Sequence, residues 1–434
     1  MERNRLNNFS GLDAETVAAA AERFGTPVYI YDESLILARC GECLDIPNAY
    51  GLTIRYAMKA NSNRRLLKLI CGAGLHLDAS SINEVLRANM AGIPFERIML
   101  TTQEVPDGPA MVELEKLLLS GLKYNVCSLR QLHLIGDFAA ANGLNPGIRV
   151  HPGIGSGESA TRNTGDDYAC FGIHLTDIEE ALDYAKEKGL RFEHIHEHIG
   201  SGGDTEMWRQ NIDLELSIIE RYFPDALSVC FGGGLKEARM PDEKRADTVL
   251  LGNYATERIV DFYNRTGRKL QMEIEPGTYI TANSGYAVTR VIDKKSTSRS
   301  NFIVTDGGME INSRPLLYGS RHPVYIISGD GVSVKSSEYD VIPGEYEAVV
   351  AGKCCESGDC QTLDPDGHSV PRFMAEPDIG DLAIIGGTGA YCSSMAPFNY
   401  NSHTQIPEAL FTTDGELKLI RMRQTLDQIM ENEI

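Results

Sequence analysis

Positive charge is scarce in this chain. Its 434 residues carry 41 lysines and arginines against 61 aspartates and glutamates, a formal net charge of −20. That balance repels phosphate backbones and anionic headgroups, which argues against nucleic-acid and membrane partners. Long apolar runs are lacking too. No segment approaches the roughly 20 apolar residues that span a bilayer, and the opening MERNRLNNFSGLDAETVAAAA holds no apolar signal region. The expected location is cytoplasmic. A second C-x-x-C is also missing. The ten cysteines are scattered, as reduced thiols are. The lone C-x-x-C from Cys40 to Cys43 has no partner pair at zinc-finger spacing, so it reads as a helix face. No internal repeat or low-complexity segment stands out.

What is present is ordinary for a globular protein, with 42% hydrophobic and 24% charged residues. The length exceeds what one core usually supports and predicts two domains. Short runs rich in β-branched or aromatic residues recur: TIRYAMK (53–59), LHLDA (75–79), RIMLTT (97–102), KYNVCS (123–128), GIRVHP (147–152), EHIHEHIG (193–200), LSVCFGGG (227–234) and KLQMEIEPG (269–277). Segments such as SINEVLRANMAG and DIEEALDYAKEKG separate them, with apolar spacing near 3.6 and a glycine stop. Eight such alternations predict an α/β fold with a (β/α)8 TIM barrel, and a doubly wound sheet is the alternative. After Ala282 the pattern changes to strands separated by turns, YAVTRVID, NFIVTDGG, PVYIIS, EYEAVVAG and DLAIIGGTGAY. The expected organisation is an N-terminal segment (1–30) packing with a C-terminal, mainly β domain (283–434), and a barrel over 31–282.

Barrel active sites lie at the C-terminal strand ends. Read in order, those ends offer Lys59, Asp78, His198 with Ser201, Gly232 to Gly234, and Glu275 with Gly277. A lysine ending an apolar strand is a competent amine nucleophile toward a carbonyl, although a lysine reaching to solvent is the plainer reading of Lys59 alone. Three glycines give unobstructed N–H groups suited to one phosphate, or simply a tight turn. Glu275 can hold a ring nitrogen protonated, or can serve a structural ion pair. An aldehyde, a basic ring nitrogen and a phosphate are the handles of pyridoxal phosphate. The stretch HIHEHIGSGGD is open to a further reading, because His194, His196 and His198 share one strand face and could bind zinc. A metallohydrolase would need further ligands, for which His151 and Asp78 are available. It would leave Lys59 and the glycines unused.

These motifs resemble the group IV pyridoxal-phosphate decarboxylases, whose barrels are of the alanine-racemase type, and within them the diaminopimelate decarboxylases. The match runs through GTPVYIYD, YAMKANSN, RVHPGIGSG, HEHIGSG, FGGGL, EIEPG, RPLLYG, CESGD, GAY, SMAPFNYN and LIRMRQT. The resemblance implies that Lys59 forms the Schiff base with the cofactor, that His198 packs on its ring, and that Glu275 pairs with the pyridine nitrogen. Asp78 would join the cofactor set, and Ser201, Gly232, Gly233, Gly234, Gly277 and Tyr391 would hold the phosphate and its surroundings. Arg314, Tyr318 and Glu356, with Tyr391, match substrate contacts. Cys355 matches a proton donor that the family supplies from the neighbouring subunit, so the active unit would be a homodimer sharing Cys355 and Glu356. No metal is implied.

The resemblance further implies decarboxylation of meso-2,6-diaminopimelate to L-lysine, a step of lysine biosynthesis. Two positions depart from the pattern. Thr278 follows EPG where the family usually has arginine, and His403 replaces the arginine usually following YNS. Threonine cannot make a bidentate charged pair with a distal carboxylate, so lysine or ornithine of either hand is the alternative substrate. A racemase would need a second base opposite Lys59. A non-catalytic pyridoxal-phosphate binder would be expected to lose the lysine and the acid, and both are present.

Overall fold

The computed structural model describes residues 6, 11–155, 163–201, 205–339 and 346–434. Parts of three expected features, the N-terminal segment (1–5 and 7–10), the GIGSG motif (156 and 157) and the HIGSG motif (202), lie outside them. Two compact units are formed. One comprises Arg39–Lys236 and Arg245–Tyr279, and the other Met1–Ala38, Glu237–Lys244 and Ile280–Ile434.

In chain order the early elements are α1 (Ala14–Phe24), β1 (Val28–Asp32) and α2 (Glu33–Leu44). The first unit then alternates β2 (Leu52–Ala57), α3 (Arg64–Gly72), β3 (His76–Ala79), α4 (Ile82–Met90), β4 (Ile98–Thr101), α5 (Pro109–Leu119), β5 (Lys123–Val126), α6 (Leu129–Ala141) and β6 (Gly147–His151). It continues with β7 (Ile173–His174), α7 (Ile178–Lys188), β8 (His194–His196), α8 (Thr205–Tyr222), β9 (Ser228–Cys230), α9 (Thr248–Thr266) and β10 (Gln271–Ile274). Eight of these strands pair in parallel, in the order β2 to β6, β8, β9 and β10, and β10 pairs again with β2, at Met272 opposite Leu52. The sheet is a closed (β/α)8 barrel. The two-residue β7 adds to β6 and was not foreseen.

Local chemistry sets the helix limits. Asn63, Ser81, Ser128 and Asp247 each accept a backbone N–H of the first turn of α3, α4, α6 and α9, replacing bonds that a helix start lacks. The glycine stop expected after KEK is Gly189, which ends α7 in the left-handed region at φ 72°. Cys40 and Cys43 are buried thiols of α2, as a helix face requires.

The second unit is built on a sheet with strands β11 (Gly285–Ser296), β12 (Asn301–Thr305), β13 (Val324–Ile327), β14 (Val334–Ser337), β15 (Tyr346–Ala351), β16 (Arg372–Met374), β17 (Leu382–Gly386), β18 (Glu408–Phe411) and β19 (Leu417–Arg421). The N-terminal strand β1 enters this sheet between β11 and β18. Its Val28 and Ile30 pack with Leu12 and Val17 against Tyr286, Val288, Ile327 and Ile384. The C-terminal domain is therefore mainly β and incorporates α1 and β1. No helix among the described residues is long and apolar enough to cross a membrane.

Candidate active site

Alternation along the barrel strands stacks polar side chains in layers inside an otherwise apolar wall. In the lower layer Arg55 of β2 is 1% exposed, and its Nε and Nη2 donate to Glu273 Oε2 and Oε1 at 2.6 and 3.3 Å. His194 of β8 stands beside them, with Nδ1 2.8 Å from Ser228 Oγ. Burial pushes its pKa down to about 4, so this ring is neutral.

Two residues further along lie His196 of β8 and Glu275, just past the end of β10, with His196 Nε2 2.9 Å from Glu275 Oε2. Burial disfavours the Glu275 carboxylate, but the His196 bond and the nearness of His198 and Lys59 outweigh it and hold the group well below the usual carboxylate range. Its Oε1 is buried without a hydrogen-bond partner among the described residues. Asp78, at the end of β3, goes the other way. Burial and the Glu275 charge raise its pKa well above the ordinary aspartate value, against the pull of Lys59 and Thr101. His196, Cys230 and Glu275 also bring one ligand-capable atom each within 4.8 Å of one another. However, burial holds Cys230 as the thiol, and His196 Nε2 is engaged by Glu275.

The uppermost layer is the barrel mouth. Lys59 projects from a 3-10 turn (Met58–Ala60) that directly follows the buried end of β2, and its charge acts on Asp78, His198 and Glu275. His198 Nδ1 accepts the Gly233 N–H at 3.1 Å. Burial, with Arg149 and Lys59 nearby, drives its pKa well below the ordinary value, so the ring is neutral and its proton is on Nε2. A Cβ on Gly232, Gly233 or Gly234 would come within 2.5, 2.5 or 2.6 Å of a carbonyl oxygen of Glu197, Glu275 or Gly200. Only glycine allows this close approach of three backbones. Ser201 is half-buried beside them. The following turn is tied down where Ala57 N–H donates to Pro276 O at 3.2 Å, next to buried Gly277.

The remaining candidates lie in the second unit, except Thr278, which belongs to the first. Arg314, 4% exposed, has its guanidinium carbon 5.8 Å from the Tyr318 ring centre and 6.0 Å from that of Tyr391. Tyr391 adopts φ 58°, unusual for a side chain this large. Cys355 and Glu356 are exposed neighbours on a turn. Cys355 N–H donates to Asn401 Oδ1 at 2.8 Å, and Tyr400 Oη donates to Glu356 Oε2 at 3.4 Å. Burial and Glu310 raise the adjoining Cys354 thiol, so it stays protonated. Thr278 is half-buried at the start of a short helix (Thr278–Thr281), and half-buried His403 follows the turn at Tyr400–Ser402.

The structure thus gathers Lys59, Asp78, His198, the three glycines and Glu275 at one mouth. It gathers Arg314, Tyr318 and Tyr391 within the second unit. The H-x-H spacing put His196 on the same strand face as His198, but only His198 was assigned to the cofactor, and the pairing of His196 with Glu275 was not read. The Arg55–Glu273 pair was missed, since one charge in each of two distant strands carries no local signal.

Pyridoxal phosphate fits these residues. The orphaned Glu275 Oε1 is a ready acceptor for a protonated ring nitrogen, and the bare glycine backbones leave room for a phosphate. A TIM barrel of this construction defines a pyridoxal-type enzyme class. Residues 41–282 match the family described as pyridoxal-dependent decarboxylase, pyridoxal binding domain. The chain is 32% identical to the diaminopimelate decarboxylase of Escherichia coli K12 over 100% of both chains. It is 33% identical to that of Streptomyces coelicolor, over 100% of this chain and 94% of the other. A crystal structure of a diaminopimelate decarboxylase superposes with a TM-score of 0.88 at 31% identity, covering 98% of this chain and 97% of that one. The chain belongs to the pyridoxal-dependent decarboxylases, and its similarity to their diaminopimelate-specific members is end to end.

Proposed function

We propose that this protein decarboxylates meso-2,6-diaminopimelate to L-lysine and carbon dioxide, as a step of lysine biosynthesis. The observation that carries the reading is the unspent, ionised Glu275 at a mouth shared with Lys59, in a chain matching diaminopimelate decarboxylases over its whole length. When bound, pyridoxal phosphate supplies a ring that accepts the electron pair left by the departing carboxylate.

The chain's own residues have separate tasks. Lys59 would hold the cofactor through its side-chain amine. Glu275 Oε1 holds the proton on the ring nitrogen, while His196 fixes Oε2. His198 presents a flat, neutral surface to the ring, pinned by the Gly233 N–H. Gly232 to Gly234, with Ser201, Gly277 and Tyr391, would hold the phosphate side, and Asp78 would complete the cofactor set. Arg314, supported by Tyr318 and Tyr391, binds a substrate carboxylate, and Glu356 faces an amino group. Cys355 Sγ of a neighbouring subunit gives the α-carbon its proton, and the exposure of the Cys355–Glu356 turn supports such sharing in a homodimer. The barrel over 31–282 is the cofactor-carrying domain and the protein is cytoplasmic.

The test is incubation of the purified protein and pyridoxal phosphate with meso-diaminopimelate, L- and D-lysine, and L- and D-ornithine, measuring carbon dioxide. Release from diaminopimelate is expected. Release from lysine or ornithine alone would assign the site to a substrate without the distal carboxylate, which Thr278 would accommodate. No release from any of them would reject decarboxylation.

A further inference from the structure

Strand alternation turns Glu197 away from the two histidines that flank it, toward α8. There it meets the buried row of that helix, in which Asn211 and Glu215 lie one turn apart between Trp208, Ile212, Leu216 and Ile219. Glu197, Asn211 and Glu215 are each 0% exposed. Taken as ionised, neither acid has a hydrogen-bond partner for either oxygen among the described residues, and both polar atoms of Asn211 are also without one. Two unpaired anions do not persist in such a place. The carboxyls lie within hydrogen-bonding reach of each other, so one proton between them removes the conflict.

The surroundings favour keeping that proton. Burial raises both acids, and on Glu215 the neighbouring Glu197 and the ionised Glu275 of the β10 end add to it. Cys230 of β9, also within range of Glu215, is held as the thiol. The helix packed on α8 turns its Tyr254 and Arg258 to Asp213 instead. Among the described residues no lysine, arginine or histidine acts on either carboxyl.

Directly in front of the pair runs the glycine loop. Gly232 lies against the Glu197 main chain, and Trp208 Nε1 donates to Gly233 O at 3.2 Å. We propose that Glu197 and Glu215 are positioning residues that share one proton behind this loop, so that the pair carries a single negative charge rather than two, and that keeping this proton is required for an anionic group to bind on the loop's open face. The proposal rests on the reading of Gly232 to Gly234 as the phosphate side of the cofactor site.

Trp208 is the chain's single tryptophan, so its fluorescence reports binding at the loop. Pyridoxal phosphate affinity is to be measured by this signal at about pH 6.5 and about pH 9 in wild type, Glu215→Gln and Glu197→Gln. Loss of the shared proton places a second negative charge behind the phosphate. The wild type should therefore lose about threefold to tenfold more affinity than either glutamine variant over that range. An equal loss in wild type and variants overturns the proposal. Should neither variant fold, the melting temperature of the wild-type apoprotein decides. The folded pair binds a proton that the unfolded chain releases, so stability must fall as pH rises across the same interval, and a flat or rising melting curve overturns the proposal. Failure of the wild type to bind pyridoxal phosphate at either pH would instead overturn the cofactor reading, and the melting series alone would then judge the pair.

Discussion

His196 Nε2 and Glu275 Oε2 stand 2.9 Å apart inside the barrel, and this contact occupies one carboxylate oxygen while the other stays without a partner. Ionised Glu275 therefore directs its free lone pairs to one side only. Glu275→Gln keeps the shape and removes the charge. Cofactor binding should persist while carbon dioxide release falls about a hundredfold or more, the scale of a lost proton-holding group. Turnover at saturating pyridoxal phosphate checks this.

Lys59 provides a spectroscopic prediction. Wild-type protein mixed with pyridoxal phosphate should develop a visible absorbance band, and borohydride reduction should fix the cofactor to the peptide containing Lys59. Lys59→Ala should lose both. A band that survived the substitution would remove Lys59 from its role.

The glycine loop makes a stability prediction. Gly232 has φ 67°, and an added Cβ would sit 2.5 Å from Glu197 O. Gly232→Ala should cost about 2 to 4 kcal/mol, through left-handed strain and overpacking against a backbone that cannot yield. A lowered melting temperature of the apoprotein tests it without reference to activity.

The buried Arg55–Glu273 pair predicts an acid limit. Despite burial, His194 and Arg55 hold the Glu273 carboxyl below the usual carboxylate range. The folded state then binds fewer protons than the unfolded one, so the pair's stabilisation is complete above the ordinary carboxylate pKa of about 4.3 and fades as pH falls through the lower folded value. Arg55→Ala should cost about 3 to 5 kcal/mol by leaving Glu273 buried and unpaired, whereas Arg55→Met combined with Glu273→Leu should recover much of that and flatten the acid limb of the melting series.

How far the sequence could be read follows from which interactions are local. The eight barrel strands were legible because β-branched runs such as IMLT and YNV alternate with capped helices, and each observed strand falls within its expected segment except β2, which starts one residue early at Leu52. Their ends were read too long. The run TIRYAMK stops being a strand at Ala57, because Met58–Ala60 turns into a 3-10 helix that presents Lys59. In the same way LSVCFGGG is strand only over Ser228–Cys230, since positive φ at Gly232 and Gly234 ends the pairing. The place of β1 in the second sheet was legible only as a packing segment, because its partners at Val288 and Ala409 are far away in the chain.

The histidine strand shows the limit most clearly. Three imidazoles at alternate positions looked like one metal site, yet each has its own partner: Ser228 for His194, Glu275 for His196 and the Gly233 N–H for His198. Glu197 between them was passed over, because its partner Glu215 lies on the next helix and no pattern in either segment announces the other.

The barrel closes where β10 pairs with β2, and the Ala57 to Pro276 hydrogen bond brings the turn bearing Lys59 beside the one that follows Glu275. These two residues come from nearly opposite ends of the barrel's sequence, so neither a growing chain nor an open sheet can hold them together. Cofactor capture is thereby coupled to the least local pairing of the barrel. The ligand then acts as a latch: at concentrations well above its dissociation constant it adds stability to the closed ring alone, and the first and last strands should be the segments whose amide exchange slows most when it binds.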